Sequence, residues 1–182
     1  MPLPTLTGTK VTLRQLTKRD AEDFWQLAND KQVAKYLANL PHPYSVEDGY
    51  AFIRRSHGTV RKQTDFPFGI VPQEIGTVVG AVGFHQYDQA NRRIEVGSWL
   101  GRKYWRKGYA SEAVLLACRW AFNELRVTRC QARVVASNDA SSNLLLKLGF
   151  QYEGTWRMAE HSRGRWHDMK WFGLLKKDFK RR

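Results

Sequence analysis

Three strand-like segments follow one another in the middle of the chain with no helical stretch between them. They cover residues 66–71, 77–84 and 92–100, and polar turns separate them. Consecutive strands of this kind usually lie side by side, so the first two are expected to form a hairpin. A doubly wound fold is excluded, because a helix would then stand between these strands.

Helical patterns lie on both sides of this block. Ser45 to Asp48 has the form of a capping box and predicts a helix to about residue 61, after an apolar stripe at residues 24–28. Apolar residues at i, i+3, i+4 spacing predict a second long helix over residues 110–121. Asn138 or Asp139 begins a third, which Gly149 ends. Further strands are predicted at residues 9–16, 130–136, 151–158 and 165–175.

This order predicts one α/β (α+β mixed) domain with a mixed sheet of about seven strands and helices on both faces. The 182 residues are enough for one such domain. We expect its core at residues 9–177 and a basic C-terminal tail at residues 176–182. Six tryptophans could form a binding surface, but most of them are expected to pack in the core or on the sheet: Trp99, Trp105, Trp120, Trp156, Trp166 and Trp171.

Composition excludes several classes of protein. No apolar run approaches the roughly 18 residues of a membrane span, and residues 1–10 lack the apolar centre of a secretory signal. Cys118 and Cys130 have no metal-ligand spacing and the histidines are scattered, so no metal site is expected. We therefore expect a cytoplasmic protein that does not enter membranes. The net charge of +13 favours an anionic partner, or is simply a solvated basic surface.

The segment from Trp105 to Glu112 stands between a strand and the helix at 110–121. A turn that contains Gly108 and opens a helix presents unpaired N–H groups and the positive end of the helix dipole. Such a place suits a phosphate or pyrophosphate. Four cations lie in or beside it, namely Arg102, Lys103, Arg106 and Lys107. The alternative is an ordinary loop with solvated lysines, and neither a Walker A loop nor a dinucleotide fingerprint is present.

Three motifs, two of them at matching spacing, resemble the GNAT superfamily of acetyltransferases. They are the segment from Gly97 through Tyr104 to Ala113, the N-x-x-S segment at residues 138–141 with Gly149-Phe150, and the turn from Gly164 to Asp168. Within the superfamily the chain resembles the ribosomal-protein N-terminal acetyltransferases of the RimJ/RimL type. The resemblance implies a sheet splayed between its fourth and fifth strands and acetyl-coenzyme A as co-substrate. Trp105 departs from the family pattern, which has arginine or glutamine there, and Arg106 stands where glycine is common.

The resemblance also implies roles for individual residues. Glu95 would be the general base that deprotonates the amine, unless it is a surface carboxylate paired with Arg92 or Arg93. Ser141 would protonate the departing thiolate, with Tyr104 and Tyr109 as weaker candidates, or is only a first-turn serine. Asn138 would bind the pantetheine arm, or is only a helix N-cap. The residues expected to hold the coenzyme are Ser98, Trp99, Leu100, Arg102, Trp105, Arg106, Lys107, Gly108, Tyr109, Ala110, Ser111 and Asn138.

The function expected from these motifs is direct acetyl transfer to an amine, either a protein N-terminal α-amine or a small molecule. Two alternatives stay open: a basic RNA-binding module, and a coenzyme-binding fold of this type without catalysis. No RNA-binding signature is present, and the basic residues do not fall on one helix. Docking near a ribosome or RNA through the basic surface, and assembly as a homodimer, are also compatible with the sequence.

Overall fold

The computed structural model describes residues 2–37, 41 and 43–179. The predicted tail at residues 176–182 therefore lies partly outside the described residues. The strands are β1 (Leu6–Thr7), β2 (Val11–Gln15), β3 (Phe66–Pro72), β4 (Gly80–Asp88), β5 (Arg93–Leu100), β6 (Arg129–Val135), β7 (Gln151–Ser162) and β8 (Arg165–Leu175). The α-helices are α1 (Ala21–Ala28), α2 (Lys31–Ala34), α3 (Val46–Lys62), α4 (Tyr109–Asn123) and α5 (Asp139–Lys147).

The described strands form one mixed sheet in the order β1-β2-β3-β4-β5-β6-β8-β7. The predicted mixed fold is confirmed, with eight strands instead of about seven. The additional strand is β1, two residues long, which pairs antiparallel with β2. Two residues are too few to show an alternating pattern, so the sequence carries no signal for this strand.

The sheet opens between β5 and β6, the strands counted above as the fourth and fifth. They pair in parallel at Arg93 to Glu95 with Arg129 to Gln131. Beyond Glu95, β5 continues to Leu100 and β6 to Val135 with no further pairing between them. A V-shaped gap therefore begins directly after Glu95.

Helices cover both faces of the sheet, and each face has its own apolar core. On one face α4 packs its small side chains closely, with Ala113, Ala117 and Ala121 fully buried. On the other face α1 and α3 contribute Phe24 and Ile53 to a second cluster. Small residues let the backbone of α4 approach the strands, so α4 begins close to the open gap.

The N-termini of helices α3, α4 and α5 are capped in different ways. Ser45 accepts a hydrogen bond from the Asp48 N–H, and the Asp48 side chain accepts one from Ser45 N, which confirms the predicted capping box of α3. Asn138 caps α5 by accepting from the Ser141 N–H. The N-cap of α4 is Gly108, which has no side chain and provides no cap hydrogen bond. The first turn of α4 is therefore left open to an external acceptor.

Glu112, in the first turn of α4, joins this helix to the turn between β1 and β2. Its carboxylate accepts hydrogen bonds from Thr9 N (2.7 Å), Thr9 Oγ1 (2.6 Å), Lys10 N (2.7 Å) and Val11 N (2.8 Å). Gly8 allows this approach, because a Cβ there would lie 2.7 Å from the Glu112 Cδ. The start of α4 is thus held against a segment about one hundred residues earlier in the chain.

The other end of the sheet is the long hairpin of β7 and β8, where β7 is the edge strand. Its pairing with β8 shifts register twice, between Tyr152 and Gly154 and again between Trp156 and Glu160. Trp156 and Trp166 are 61% and 56% exposed on this hairpin, and Trp105 is 41% exposed. Trp99 and Trp120 pack in the two core clusters, and Trp156 packs on the sheet against Trp171. Trp105 and Trp166 are the exposed members of the set for which core or sheet packing was mostly expected.

The described residues of the predicted basic tail, 176–179, contact the rest of the fold. Lys176–Asp178 forms a 3₁₀ helix, and the Lys176 Nζ donates to the Phe122 carbonyl at 2.8 Å. The Phe179 ring packs on Phe122 with 5.2 Å between centroids. These residues belong to the fold and not to a free tail. Among the described residues, no helix is long and apolar enough to cross a membrane.

We predict that Glu112→Gln lowers the free energy of unfolding by about 2 kcal/mol, because backbone N–H groups lose a charged acceptor. Burial alone would raise the pKa of Glu112, but the hydrogen bonds from Thr9, Lys10 and Val11 outweigh it and hold the pKa below its usual value. The stabilisation is therefore complete above the ordinary carboxyl pKa of about 4.3 and is lost as the pH falls toward the lower folded value.

Urea unfolding between neutral and acidic pH measures this effect. The control is Glu124→Gln, an exposed glutamate at the other end of α4 that should change stability by less than about 0.5 kcal/mol. Equal losses in the two variants would mean that Glu112 does not hold the turn.

Candidate functional site

Glu95 is the last residue of β5 that pairs with β6, and the gap between these two strands begins there. It is only 7% exposed, so it is not the surface carboxylate that the sequence left open as an alternative. Its partner is neither Arg92 nor Arg93. The Glu95 Oε1 accepts from Arg133 Nε on β6 at 2.9 Å, while the buried Oε2 has no hydrogen-bond partner among the described residues.

Arg133 connects Glu95 to the β7–β8 hairpin. Its Nη1 is 3.5 Å from the Glu160 Oε2 on β7, and its side chain is 34% exposed. Opposite Arg133 on β8 stands Trp171, whose buried indole N–H also finds no acceptor in the described part of the chain. Trp156 packs against Trp171 with 4.7 Å between ring centroids. This face of the gap therefore has two carboxylates and an aromatic wall. Two of its polar atoms, Glu95 Oε2 and Trp171 Nε1, have no hydrogen-bond partner among the described residues.

The turn between β5 and α4, residues 101–108, has an unusual backbone. Trp105 Nε1 donates to the Leu100 carbonyl at 2.8 Å and ties the turn to the end of β5. Arg106 has φ +63° and Gly108 has φ +86°. Arg106 thus adopts the left-handed conformation that glycine would favour at this position, so the backbone shape is kept although the glycine is absent.

The cations predicted around this turn are where the sequence places them. Arg102, Lys103, Arg106 and Lys107 are all exposed beside the uncapped first turn of α4. The structure adds Lys10, whose Nζ lies 3.3 Å from the Lys107 carbonyl. Lys10 is distant in sequence and comes here only because Glu112 binds the turn that carries it. Sequence reasoning missed Lys10, since no local motif points to it.

A pocket of about 430 Å³ lies against this turn, lined by Thr9, Lys10, Gln73, Glu74, Lys107 and Tyr109. The Tyr109 hydroxyl donates to Glu74 Oε1 in a short hydrogen bond. That bond, together with burial, raises the pKa of Tyr109. The Tyr109 side chain is buried and forms part of the pocket wall. Tyr109 is also the first residue of α4. Sequence reasoning did not identify Glu74 as a residue of this pocket either.

Ser141 and Asn138 lie together at the start of α5. The Asn138 Oδ1 accepts from the Ser141 N–H at 3.2 Å, so the capping alternative describes what Asn138 does here. Ser141 is half-buried in the first turn of α5. Tyr104 is half-buried, with the Lys103 ammonium 5.1 Å from its ring centroid. The coenzyme and proton-transfer roles of these residues stay predictions.

The remaining predicted binding residues divide between backbone and side-chain positions. Leu100 is buried in the α4 core, and Trp99 packs edge-on against Phe24 at 5.1 Å on the opposite face. Ser98, Ala110 and Ser111 are half-buried. Leu100 and Trp99 can therefore offer a ligand mainly their backbone. Within residues 2–37, 41 and 43–179, no group of three or more metal-ligating side chains occurs.

A family model and several known proteins match most of this chain. The acetyltransferase (GNAT) domain model matches residues 10–151. The uncharacterized N-acetyltransferase p20 of Bacillus licheniformis is 35% identical over 177 residues, 97% of this chain and 99% of that protein. The spermidine N(1)-acetyltransferase of Escherichia coli K12 is 26% identical over 144 residues, 79% of this chain and 74% of that protein.

Among solved structures, RimL, a ribosomal L7/L12 alpha-N-protein acetyltransferase in complex with coenzyme A, superposes with a TM-score of 0.84. The sequence identity is 18%, and the superposition covers 94% of this chain and 98% of that one. At this identity the likeness shows a shared fold.

The left-handed backbone at Arg106 leads to a prediction about stability. Arg106→Gly should keep or raise the free energy of unfolding, by up to about 1 kcal/mol, because glycine adopts this conformation without steric cost. Arg106→Val should lower it by about 1–2 kcal/mol, because a β-branched residue resists positive φ. Lys107→Val is the matched control, and denaturant unfolding is the measurement. Equal losses for the two valine variants would contradict the assignment of strain to Arg106.

Proposed function

The chain belongs to the GNAT acetyltransferase family, and from that premise we propose that it transfers the acetyl group of acetyl-coenzyme A to an amine at the gap beyond Glu95. The coenzyme would lie along the open edge of β5 with its pyrophosphate on the first turn of α4. The amine would enter from the face of the sheet that carries Glu95 and Arg133. The chain is an N-acetyltransferase by family; the positions of the two substrates are the proposal.

The observation that carries the proposal is the open start of α4 next to the gap. The helices α3 and α5 begin with side-chain caps, whereas α4 begins with Gly108 and leaves its first N–H groups to an external acceptor. A phosphate there gains those donors and the positive end of a fifteen-residue helix. Exposed Arg102, Arg106 and Lys107 add charge on the solvent side. The residues present therefore fit the anionic part of the coenzyme.

The chemistry asks for a base and an acid on opposite sides of the thioester. The amine nitrogen forms a bond to the acetyl carbon as the carbon–sulfur bond breaks, and the amine loses one proton while the thiolate gains one. Glu95 is the proposed acceptor of the amine proton, because its buried Oε2 has no other partner in the described structure. Ser141 is the proposed donor to the thiolate. Tyr109 suits that role less well, because its hydroxyl already donates to Glu74.

The acceptor is proposed to be a cationic amine, either a protein N-terminal α-amine or a small molecule such as a polyamine. Glu95 and Glu160 place two carboxylates around Arg133, and Trp156 and Trp171 supply an aromatic wall. The named activities of the spermidine enzyme and of RimL represent these two kinds of amine. A screen of acetyl-coenzyme A consumption over N-terminal peptides, polyamines, aminoglycosides and free amino acids distinguishes them. Turnover with none of these amines would contradict the proposed acceptor class.

We predict that Gly108→Asp weakens coenzyme A binding by more than about tenfold. The substitution places a carboxylate at the helix N-terminus where a phosphate is expected, and like charges repel. Gly108→Asn is the matched control, because it adds a side chain of the same shape without the charge and tolerates positive φ about equally well. Calorimetric titration with coenzyme A is the measurement. Equal affinities of the Asp and Asn variants for coenzyme A would mean that no phosphate of the coenzyme binds at this turn.

We predict that Glu95→Gln leaves coenzyme A affinity within about twofold and lowers turnover by roughly 10²–10⁴-fold. The deficit should be largest at low pH, where little of the amine is already neutral. Steady-state rates across pH are the measurement, and Glu160→Gln is the control for the second carboxylate around Arg133. A loss below about threefold at every pH would exclude Glu95 as the base. A larger loss in the Glu160 variant would transfer the role to Glu160.

A further inference from the structure

A second concave surface lies away from the acetyl-transfer gap, between the outer side of α3 and the 3₁₀ helix Lys18–Asp20. It is an open cleft of about 1020 Å³, and we name it the basic cleft. The side chains that define it are Lys18, Arg19, Tyr50, Arg54, His57 and Arg61. We propose that the basic cleft binds single-stranded RNA through its phosphate groups.

The charge of the basic cleft is not neutralised by the protein. Lys18 and Arg19 stand on one wall, and Arg54 and Arg61 stand on the other. No carboxylate lines the cleft in the described part of the chain. The adjacent Asp20 is only 4% exposed, and its two oxygens accept from Arg14 at 2.7 and 2.8 Å. Four cations thus face one concave space with their countercharge outside it.

The two arginines of α3 lie on one face of the helix, far enough apart to contact two different phosphates of one strand. They are seven residues apart, which on a helix is two turns and roughly 10 Å on one face. Arginine binds phosphate through two parallel N–H groups, which favours it over lysine for this purpose. Separate cations on the facing wall allow contacts to the same strand from both sides. A single small anion would reach only part of this space.

His57 and Tyr50 complete the wall in ways that favour a nucleic acid. His57 Nε2 lies 2.7 Å from the Leu16 carbonyl, which can only accept, so that nitrogen holds the proton and the ring is fixed in place. Tyr50, one turn before Arg54, is 42% exposed and offers a ring on which an unpaired base can stack. An acidic peptide would use the cations but not the ring. A bilayer is flat and would not enter a concave cleft.

The basic cleft is separate from the proposed acetyl-transfer site. It lies at β2, which supplies Gln15 to its lining, whereas the gap begins at β5. Strands β3 and β4 stand between β2 and β5 in the sheet, a distance of roughly 14 Å. The proposed phosphate site at the start of α4 is reached by Lys10, just before β2 begins, whereas Gln15 is the last residue of β2, roughly 16 Å further along the strand. RNA binding and coenzyme binding can therefore be tested independently, and the failure of one does not imply the failure of the other.

The test is fluorescence anisotropy with a short fluorescein-labelled single-stranded RNA of mixed sequence, from about 50 to 200 mM salt. Arg54→Gln/Arg61→Gln is expected to weaken binding by at least about tenfold at the lowest salt. It should also flatten the salt dependence by an amount equivalent to about two phosphate contacts. Arg157→Gln/Arg165→Gln removes the same charge from exposed positions on the β7–β8 hairpin and should weaken binding less than about threefold. Unchanged urea unfolding and coenzyme A affinity show that each variant is folded.

Three results would overturn the proposal. Equal losses in the two double variants would mean that RNA is attracted by the overall charge and not by the basic cleft. Equal affinity for labelled polyglutamate and for RNA would mean that the cleft is a site for acidic peptides. Undetectable binding of RNA to the unaltered protein at the lowest salt would mean that the cleft has another ligand.

Tyr50→Phe should bind RNA as the unaltered protein does and Tyr50→Ala should bind several-fold more weakly, because only the ring is needed for stacking.

Discussion

The carboxylate of Glu112 determines where the first turn of α4 lies. Four short hydrogen bonds tie it to Thr9, Lys10 and Val11, and Gly8 leaves room for the contact. The open helix start at Gly108 and the cations around it depend on that position. The same contact brings Lys10 to the Lys107 carbonyl. An internal structural bond therefore sets the geometry at which an external anion would bind.

Much of the fold was predictable because its signals are local. The capping box at Ser45, the glycine turn at Gly108 and the helix stop at Gly149 each depend on a few adjacent residues. Contacts between distant segments left no such signal. The pairing of Glu95 with Arg133 could not be predicted, because it depends on how the sheet opens. The approach of Lys10 could not be predicted either, because it depends on the long-range contact between Glu112 and the turn that carries Lys10. The left-handed backbone of Arg106 was also unpredictable, since nothing in the arginine side chain favours it.

The basic composition of the chain hides an uneven distribution of charge. The net charge of +13 gives no hint of position, whereas the structure divides the cations among separate surfaces. One group surrounds the start of α4, and another lines the basic cleft on the outer side of α3. Arg133 belongs to neither group, because its guanidinium contacts the carboxylates of Glu95 and Glu160 and so contributes no free charge. A uniform basic surface would attract any polyanion, whereas this arrangement underlies our proposal of a different ligand for each group of cations.

The irregular edge of β7 has a consequence for the behaviour of the protein at high concentration. An edge strand of twelve residues with exposed Trp156 and Met158 would, if straight, offer a continuous row of N–H and C=O groups to another molecule. The register shifts at Gly154 and near Met158, where φ is +48°, interrupt that row. An added strand would find no run of partners long enough to pair along the whole edge. The bulges thus hinder edge-to-edge aggregation through β7, while the exposed apolar side chains of this strand stay accessible.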